Sequence, residues 1–170
     1  MNNDLAEKSA SDNENAVQEK DFLLKVMAKS NITDVNYARD LTMIVFRTMR
    51  DLMTTEAAQE VAGELQTPIG STSEKVAEEK IADLWKDANP LVRFLSQVRP
   101  TLKFDDNTFF LRIELEGGLP QTTESVPERI PPETIVSAVF SATKEELSAA
   151  RVTEIANFLP GKVRKLWEQA

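Results

Sequence analysis

Hydrophobic residues with helical spacing dominate the first half of the chain. Apolar side chains recur there every three or four positions, at Ala38, Leu41, Val45, Met49 and Leu52. This spacing predicts a long amphipathic helix that begins after Asp34, a good N-cap residue, and ends near Met53. Thr54 or Thr55 can cap a second helix, which we expect to end at Leu65.

The same pattern returns later in the chain. Three blocks match three earlier blocks in the same order: Phe109–Ile113 on Phe22–Val26, Val139–Leu159 on Val45–Leu65, and Lys162–Trp167 on Lys80–Trp85. The spacing between the blocks differs, which indicates a duplicated unit with insertions. A unit of this size usually buries its apolar face against a neighbouring copy. We therefore expect two tandem repeats that pack together.

Capping residues and prolines predict where the remaining helices begin and end. We expect helices at 21–30, 71–87, 90–99, 131–146 and 148–158, and a last turn that ends at Trp167. Residues 1–20 are polar and aperiodic, and we expect a disordered tail. The first repeat then covers residues 21–99 with one inserted helix, and the second covers residues 100–170.

The segment from Phe109 to Glu116 is ambiguous. Its apolar residues alternate with charged ones, and this alternation is typical of a strand. Asp106 and Asn107 are, however, candidate helix N-caps, and Gly117-Gly118 is a candidate left-handed C-cap. The segment also matches a better helical pattern in the first repeat, where Asn31 aligns with Gly118. We therefore predict a helix.

The second repeat carries a recognisable motif. It consists of a Val-Phe pair, a Leu before a Ser cap, a Leu-Pro step and a final Arg-x-Leu-Trp, at Val139-Phe140, Leu147-Ser148, Leu159-Pro160 and Arg164–Trp167. The motif resembles a bacterial helical family known as domain of unknown function 2267. The resemblance covers residues 20 to 168 and implies an all-helical fold. It implies no activity, cofactor or site.

Composition excludes several classes of function. The chain has 170 residues, a net charge of −8, and neither cysteine nor histidine. A disulfide, a thiolate nucleophile and a histidine general base are therefore excluded. The negative charge argues against nucleic acid, because phosphate binding depends on Lys and Arg. No apolar run approaches the ~18 residues that span a bilayer, and no signal-peptide core precedes the repeats, so we expect a cytoplasmic protein without membrane insertion.

One motif points to catalysis. Ser141 and Lys144 match the Ser-x-x-Lys spacing, in which a lysine on the same helix face can activate a serine. The other motifs of that enzyme class do not follow, and the earlier repeat has Arg47 and Arg50 at the matching places. A solvated helix face is the favoured interpretation. We expect no enzyme, no cofactor and no metal.

Charged residues that match between the repeats are a second group of candidates. They are the pairs Glu60 and Glu154, and Lys80 and Lys162. Packing around a pseudo-twofold axis could bring the two carboxylates together and shift their pKa values. Ordinary surface pairing at a spacing of four residues is the favoured alternative.

Trp85 and Trp167 end matching blocks. A tryptophan at the end of an amphipathic helix is most often a core side chain. It is also the residue type most enriched at binding hot spots. A groove between the repeats lined by Trp85, Phe94 and Trp167 is the best candidate for an interaction site.

Together these observations predict an all-α bundle of two tandem three-helix repeats. The leading hypothesis for its function is a non-enzymatic adaptor that binds another protein, and a homodimer is one form of such an interaction. The alternative is a carrier or sensor that holds a small apolar ligand between the repeats. An enzyme that uses carboxylates or Ser141 and Lys144 ranks third.

Overall fold

The computed structural model describes residues 21–69, 79–86, 100–119 and 130–170. Within these ranges the chain is all-helical, and its only extended pairing is an isolated bridge between Pro68 and Lys80. The helices are α1 (Phe22–Ser30), α2 (Val35–Leu52), α3 (Thr55–Glu64), α4 (Ile81–Trp85), α5 (Asp106–Glu116), α6 (Pro132–Lys144), α7 (Ala149–Phe158) and α8 (Gly161–Gln169). The all-α prediction is confirmed. None of these helices has the length and apolarity that a membrane crossing requires.

The helix caps follow from the sequence. The side chains of Asp34, Thr54 and Ser148 accept hydrogen bonds from the first-turn amides of α2, α3 and α7, as predicted. The ambiguous segment is helix α5, also as predicted. Its N-cap is Asp105, one residue before the predicted candidates, and the carboxylate of Asp105 accepts from the amide of Thr108 at 2.9 Å.

Two predicted elements need correction. Residues 79–80 are extended rather than helical, because the amide of Ile69 donates to the carbonyl of Glu79 at 2.9 Å and the amide of Ile81 donates to Thr67 at 3.0 Å. The predicted helix at 71–87 is therefore helical only at α4 in its described part. The last predicted turn is a complete helix, α8. The tail at 1–20 and the inserted helix at 90–99 lie outside the described residues.

Sequence-distant helices form the main packing contacts. Among the described helices the largest interface joins α1 to α6, and α2 packs against both α1 and α5. Two lysines of α1 add polar contacts to the interface between α1 and α6. Lys25 forms an ion pair with Glu145, just after α6, and Lys29 donates to the hydroxyl of Ser141. The described residues before position 87 and those after position 99 thus share one continuous core.

Each tryptophan has the same type of environment. Trp85 packs edge-to-face on Phe46 with 5.1 Å between ring centroids, and its indole nitrogen donates to the carbonyl of Ala58 at 2.9 Å. The ring of Trp167 lies 5.0 Å from that of Phe140, also edge-to-face. Its indole nitrogen donates to the carbonyl of Val152 at 2.9 Å.

Candidate interaction surface

The two candidate tryptophans are core side chains. Trp85 and Trp167 are each 1% exposed, which corresponds to the core alternative of the sequence analysis and not to the lining of an open groove. Phe94, the third member of the predicted groove, lies outside the described residues. Each indole has a protein carbonyl as its hydrogen-bond acceptor, so both side chains stabilise the fold.

The matched glutamates Glu60 and Glu154 meet at a third residue. Arg151, in the first turn of α7, forms ion pairs with both carboxylates through the same guanidinium nitrogen. The structure thus brings the two predicted residues together, with the charge of Arg151 between them. The pair with Glu154 is also the local helical pairing that sequence analysis favoured, at a spacing of three residues.

Glu64 also contacts Arg151, so the charged cluster consists of Arg151, Glu60, Glu64 and Glu154. Sequence analysis did not identify Glu64. Its carboxylate accepts from the amide of Ser148 at 2.8 Å, from the hydroxyl of Ser148 at 3.0 Å, and from the Nε of Arg151 at 3.4 Å. The amide hydrogen bond from Ser148 is the main cause that lowers the pKa of Glu64 below its ordinary value, and Arg151 adds to it. The cluster therefore ties the end of α3 to the start of α7.

The matched lysines Lys80 and Lys162 differ in their surroundings. The ammonium of Lys80 donates to the side-chain oxygen of Gln66 at 3.4 Å. That of Lys162 lies 3.0 Å from the carboxylate of Glu133 and 5.3 Å from the ring centroid of Phe110. The two lysines are not brought together, and Lys162 belongs to the surface described below.

Ser141 and Lys144 are directed to different partners. The ammonium of Lys144 donates to the carbonyls of Trp167 and Ala170, both at 2.8 Å, at the end of α8. Cations at this position stabilise a helix C-terminus. The hydroxyl of Ser141 instead accepts from Lys29. The hydrogen bonds of Ser141 and Lys144 thus go to other groups, and the lysine that contacts Ser141 is Lys29.

A shallow surface depression surrounds Ser141. It has a volume of about 590 Å³ and is lined mainly by small polar residues and the end of α8: Lys29, Glu133, Thr134, Ser137, Ala138, Ser141, Leu166, Gln169 and Ala170. Among the described residues, no group of three or more acidic side chains is arranged to hold a metal ion.

The outer side of α5 exposes two leucines. Leu111 is 46% exposed and Leu115, one turn later, is 61% exposed. Phe109 and Ile113 on the opposite side are fully buried. The apolar residues that gave this segment its strand-like alternation thus lie on two sides of one helix. That alternation, in a segment that the repeat identifies as a helix, was the signal in the sequence for an exposed apolar face.

A groove runs beside these leucines. It has a volume of about 700 Å³ and lies between α5 and the N-terminal ends of α6 and α8, and its lining is Asn107, Phe110, Leu111, Glu114, Pro131, Pro132, Glu133 and Lys162. Its apolar lining comes from one phenylalanine, one leucine and two prolines, and charged residues border it. We call this groove together with Leu115 the α5 face.

Comparison with curated proteins gives no match to this chain. A family model described as an uncharacterised conserved protein, DUF2267, matches residues 19–166. This range includes every helix from α1 to α7 and most of α8. The chain therefore belongs to the DUF2267 family.

Proposed function

We propose that this chain is a non-enzymatic, cytoplasmic protein-interaction module that binds a protein partner through the α5 face. The observation that carries the proposal is the exposure of Leu111 and Leu115, at 46% and 61%, at an open groove whose lining is half apolar and half polar. Clustered exposed apolar side chains with a polar border are typical of protein-binding surfaces. Helical spacing of the two leucines suits a partner helix that lies along the groove.

The alternative, a carrier of a small apolar ligand between the repeats, has less support. The two tryptophans that were expected to line such a site each pack on a phenylalanine of their own repeat. Phe46, Trp85, Phe140 and Trp167 are all 1% exposed or less, and they pack against each other in edge-to-face pairs.

We also propose that the fold arose from two tandem copies of a three-helix unit. Matched residues support this: Phe46 and Phe140 hold Trp85 and Trp167 at nearly equal ring distances. Two chains covering residues 21–99 and 100–170 should associate into a folded complex when they are co-expressed, since α1 packs on α6 and α2 on α5. A cooperative, monomeric unfolding transition in either chain alone would contradict the shared core.

Native mass spectrometry of the protein isolated gently from its host tests the interaction proposal. We expect a discrete protein companion on the wild type and its loss from the variant Leu115→Glu. Leu102→Glu is the matched control, because Leu102 is 37% exposed and does not line the groove. Both variants should melt at the wild-type temperature. A companion that stays bound to Leu115→Glu would show that the α5 face is not the binding surface.

A further inference from the structure

We infer that the partner of the α5 face is an amphipathic helix whose apolar stripe is flanked by lysine or arginine. This inference rests on the proposed role of the α5 face as an interaction surface, and it names the chemistry of the protein that binds there. Three properties of the described residues carry it: the charge of the groove lining, the carboxylates at the N-terminal ends of α6 and α8, and the helical spacing of the exposed leucines.

The lining of the groove has an excess of negative charge. Among its described residues, Glu114 and Glu133 contribute two carboxylates, and Lys162 contributes one ammonium group. The whole chain has a net charge of −8, so the field of the protein has the same sign as that of the lining. Stable interfaces pair opposite potentials. The groove therefore attracts a basic partner and repels an acidic one.

The positive ends of two helices at this groove are offset by carboxylates of the chain itself. The groove lies at the N-terminal ends of α6 and α8, where backbone amides attract anions. Glu133 is in the first turn of α6. The carboxylate of Asp106 accepts from the amide of Val163, in the first turn of α8, at 3.3 Å. These helix ends therefore do not convert the groove into a site for acidic side chains or phosphates.

The apolar part of the face suits a helix and not an extended peptide. Leu111 and Leu115 are four residues apart on α5, so they lie on one side of it. A partner helix with apolar residues every three or four positions can pack against this pair. Extended peptides instead add to the edge of a sheet. The described residues provide no such edge beyond the isolated bridge between Pro68 and Lys80.

The acidic groups lie where the edges of such a helix would be. Glu114 directly precedes Leu115 on α5, and Glu133 is on α6, across the groove. Carboxylates thus lie on both sides of the apolar lining. A lysine or arginine covers apolar surface with its aliphatic stem while its charged end reaches outward. Basic residues that flank the apolar stripe of the partner can therefore reach these carboxylates.

Binding of three synthetic peptides to the full chain tests this inference. Each peptide has about eighteen residues, enough to populate a helix, with leucine at every third or fourth position. The other positions are lysine in the first peptide, glutamine in the second and glutamate in the third. Fluorescence anisotropy should show that the lysine peptide binds most tightly and the glutamate peptide least. The affinity of the lysine peptide should fall as salt rises, because salt screens the attraction between opposite charges.

Leucine variants show whether the peptide binds at the α5 face. Leu115→Ser should weaken binding of the lysine peptide at least about tenfold, because the contact of a large apolar side chain is lost. Leu102→Ser is the matched control, because Leu102 is also exposed and does not line the groove. It should bind the peptide like the wild type.

Carboxylate variants show whether the local charge matters. Glu114→Gln/Glu133→Gln should weaken binding of the lysine peptide by about three- to tenfold at low salt, which is the range expected for two exposed charge pairs. Asp40→Asn/Glu168→Gln is the matched control. It removes two exposed carboxylates that do not line the groove, and it should have a much smaller effect.

Two results would overturn the basic partner. One is equal affinity of the lysine and glutamine peptides for the wild type at low salt, and the other is an equal loss of affinity in the two double variants. In both cases, weaker binding by Leu115→Ser would still support the α5 face as an interaction surface. Unchanged peptide binding by Leu115→Ser would count against that surface as well. Circular dichroism checks that each variant is folded, and the comparison of the three peptides on the wild type needs no variant.

Discussion

The guanidinium of Arg112 on α5 lies 2.6 Å from the carboxylate of Asp51 at the end of α2. Asp51 is 7% exposed, and its backbone carbonyl also accepts the amide of Leu102 at 2.8 Å. The guanidinium in turn lies 5.1 Å from the ring centroid of Phe104. This pair therefore fixes both α5 and the segment that leads into it, and it sets the orientation of the exposed leucines.

Substitution of Arg112 by methionine should lower the free energy of unfolding by about 3 kcal/mol, because it leaves the buried Asp51 carboxylate without its guanidinium partner. Methionine retains much of the aliphatic volume of arginine, so the decrease in the free energy of unfolding measures mainly the loss of the charged guanidinium. Urea denaturation measures it, and the double variant Asp51→Asn/Arg112→Met should recover part of the stability. A loss under about 1 kcal/mol, the range of exposed ion pairs, would contradict this account.

The two tryptophans should contribute similarly to stability. Trp85→Phe and Trp167→Phe keep an aromatic ring against Phe46 or Phe140, but each removes the hydrogen bond from the indole to a part-buried helix carbonyl. We expect each to lower the free energy of unfolding by about 1–3 kcal/mol. Substitution by alanine should cost about 3–5 kcal/mol, because it also leaves a cavity. Chemical denaturation measures all four variants, and a large loss at only one of the two positions would argue against equivalent environments.

Asn31 and Gly118 end the first helices of the two matched segments with left-handed backbones, at φ values of 61° and 62°. Gly118→Ala should destabilise the protein by about 1 kcal/mol or more, because a β-carbon is unfavourable in this conformation. No atom lies within 4 Å of an added β-carbon there, so the effect would be purely conformational. Gly118→Asn is the control and should be milder, since asparagine tolerates the conformation. Thermal melts measure both variants, and an equal decrease in their melting temperatures would contradict this explanation.

Glu64 should make part of the stability dependent on pH. Its pKa is lowered in the folded state, chiefly by the amide of Ser148. An acid with a lowered folded pKa stabilises the protein above its unfolded pKa and loses this contribution as the pH falls through the folded value. Glu64→Gln should therefore be less stable than the wild type at neutral pH, and the difference should shrink in acid. Denaturation at a series of pH values measures this, and a difference that persists unchanged in acid would contradict it.

Much of the fold could be predicted because local signals agreed with each other. The caps at Asp34, Thr54 and Ser148 coincide with the start of apolar stripes, and each begins a helix. The segment 79–80 could not be predicted in this way. Its extended backbone depends on hydrogen bonds between Glu79 and Ile69 and between Ile81 and Thr67, and these partners lie ten or more residues apart in the chain.

The sites were harder to predict from the sequence. Matched positions identified Glu60 and Glu154, but Arg151 and Glu64 became visible only when α3 and α7 were placed side by side. For the two tryptophans the sequence allowed either a groove-lining or a core position, and only their burial in the structure distinguishes these alternatives. Leu111 and Leu115 belong to the alternating pattern of residues 109–116, but such a pattern does not show which side of a helix faces solvent.

The contact between α1 and α6 has a consequence for biosynthesis. Phe22, Leu23 and Val26 on α1 are fully buried, and their largest partner helix begins at Pro132. A ribosome adds about 5–20 residues per second, so the start of α6 follows α1 by roughly 5 to 20 s. During this interval the apolar side of the nascent α1 lacks its main cover, and the growing chain presents it to chaperones. Final burial of the first helix is thus a late event in the synthesis of this protein.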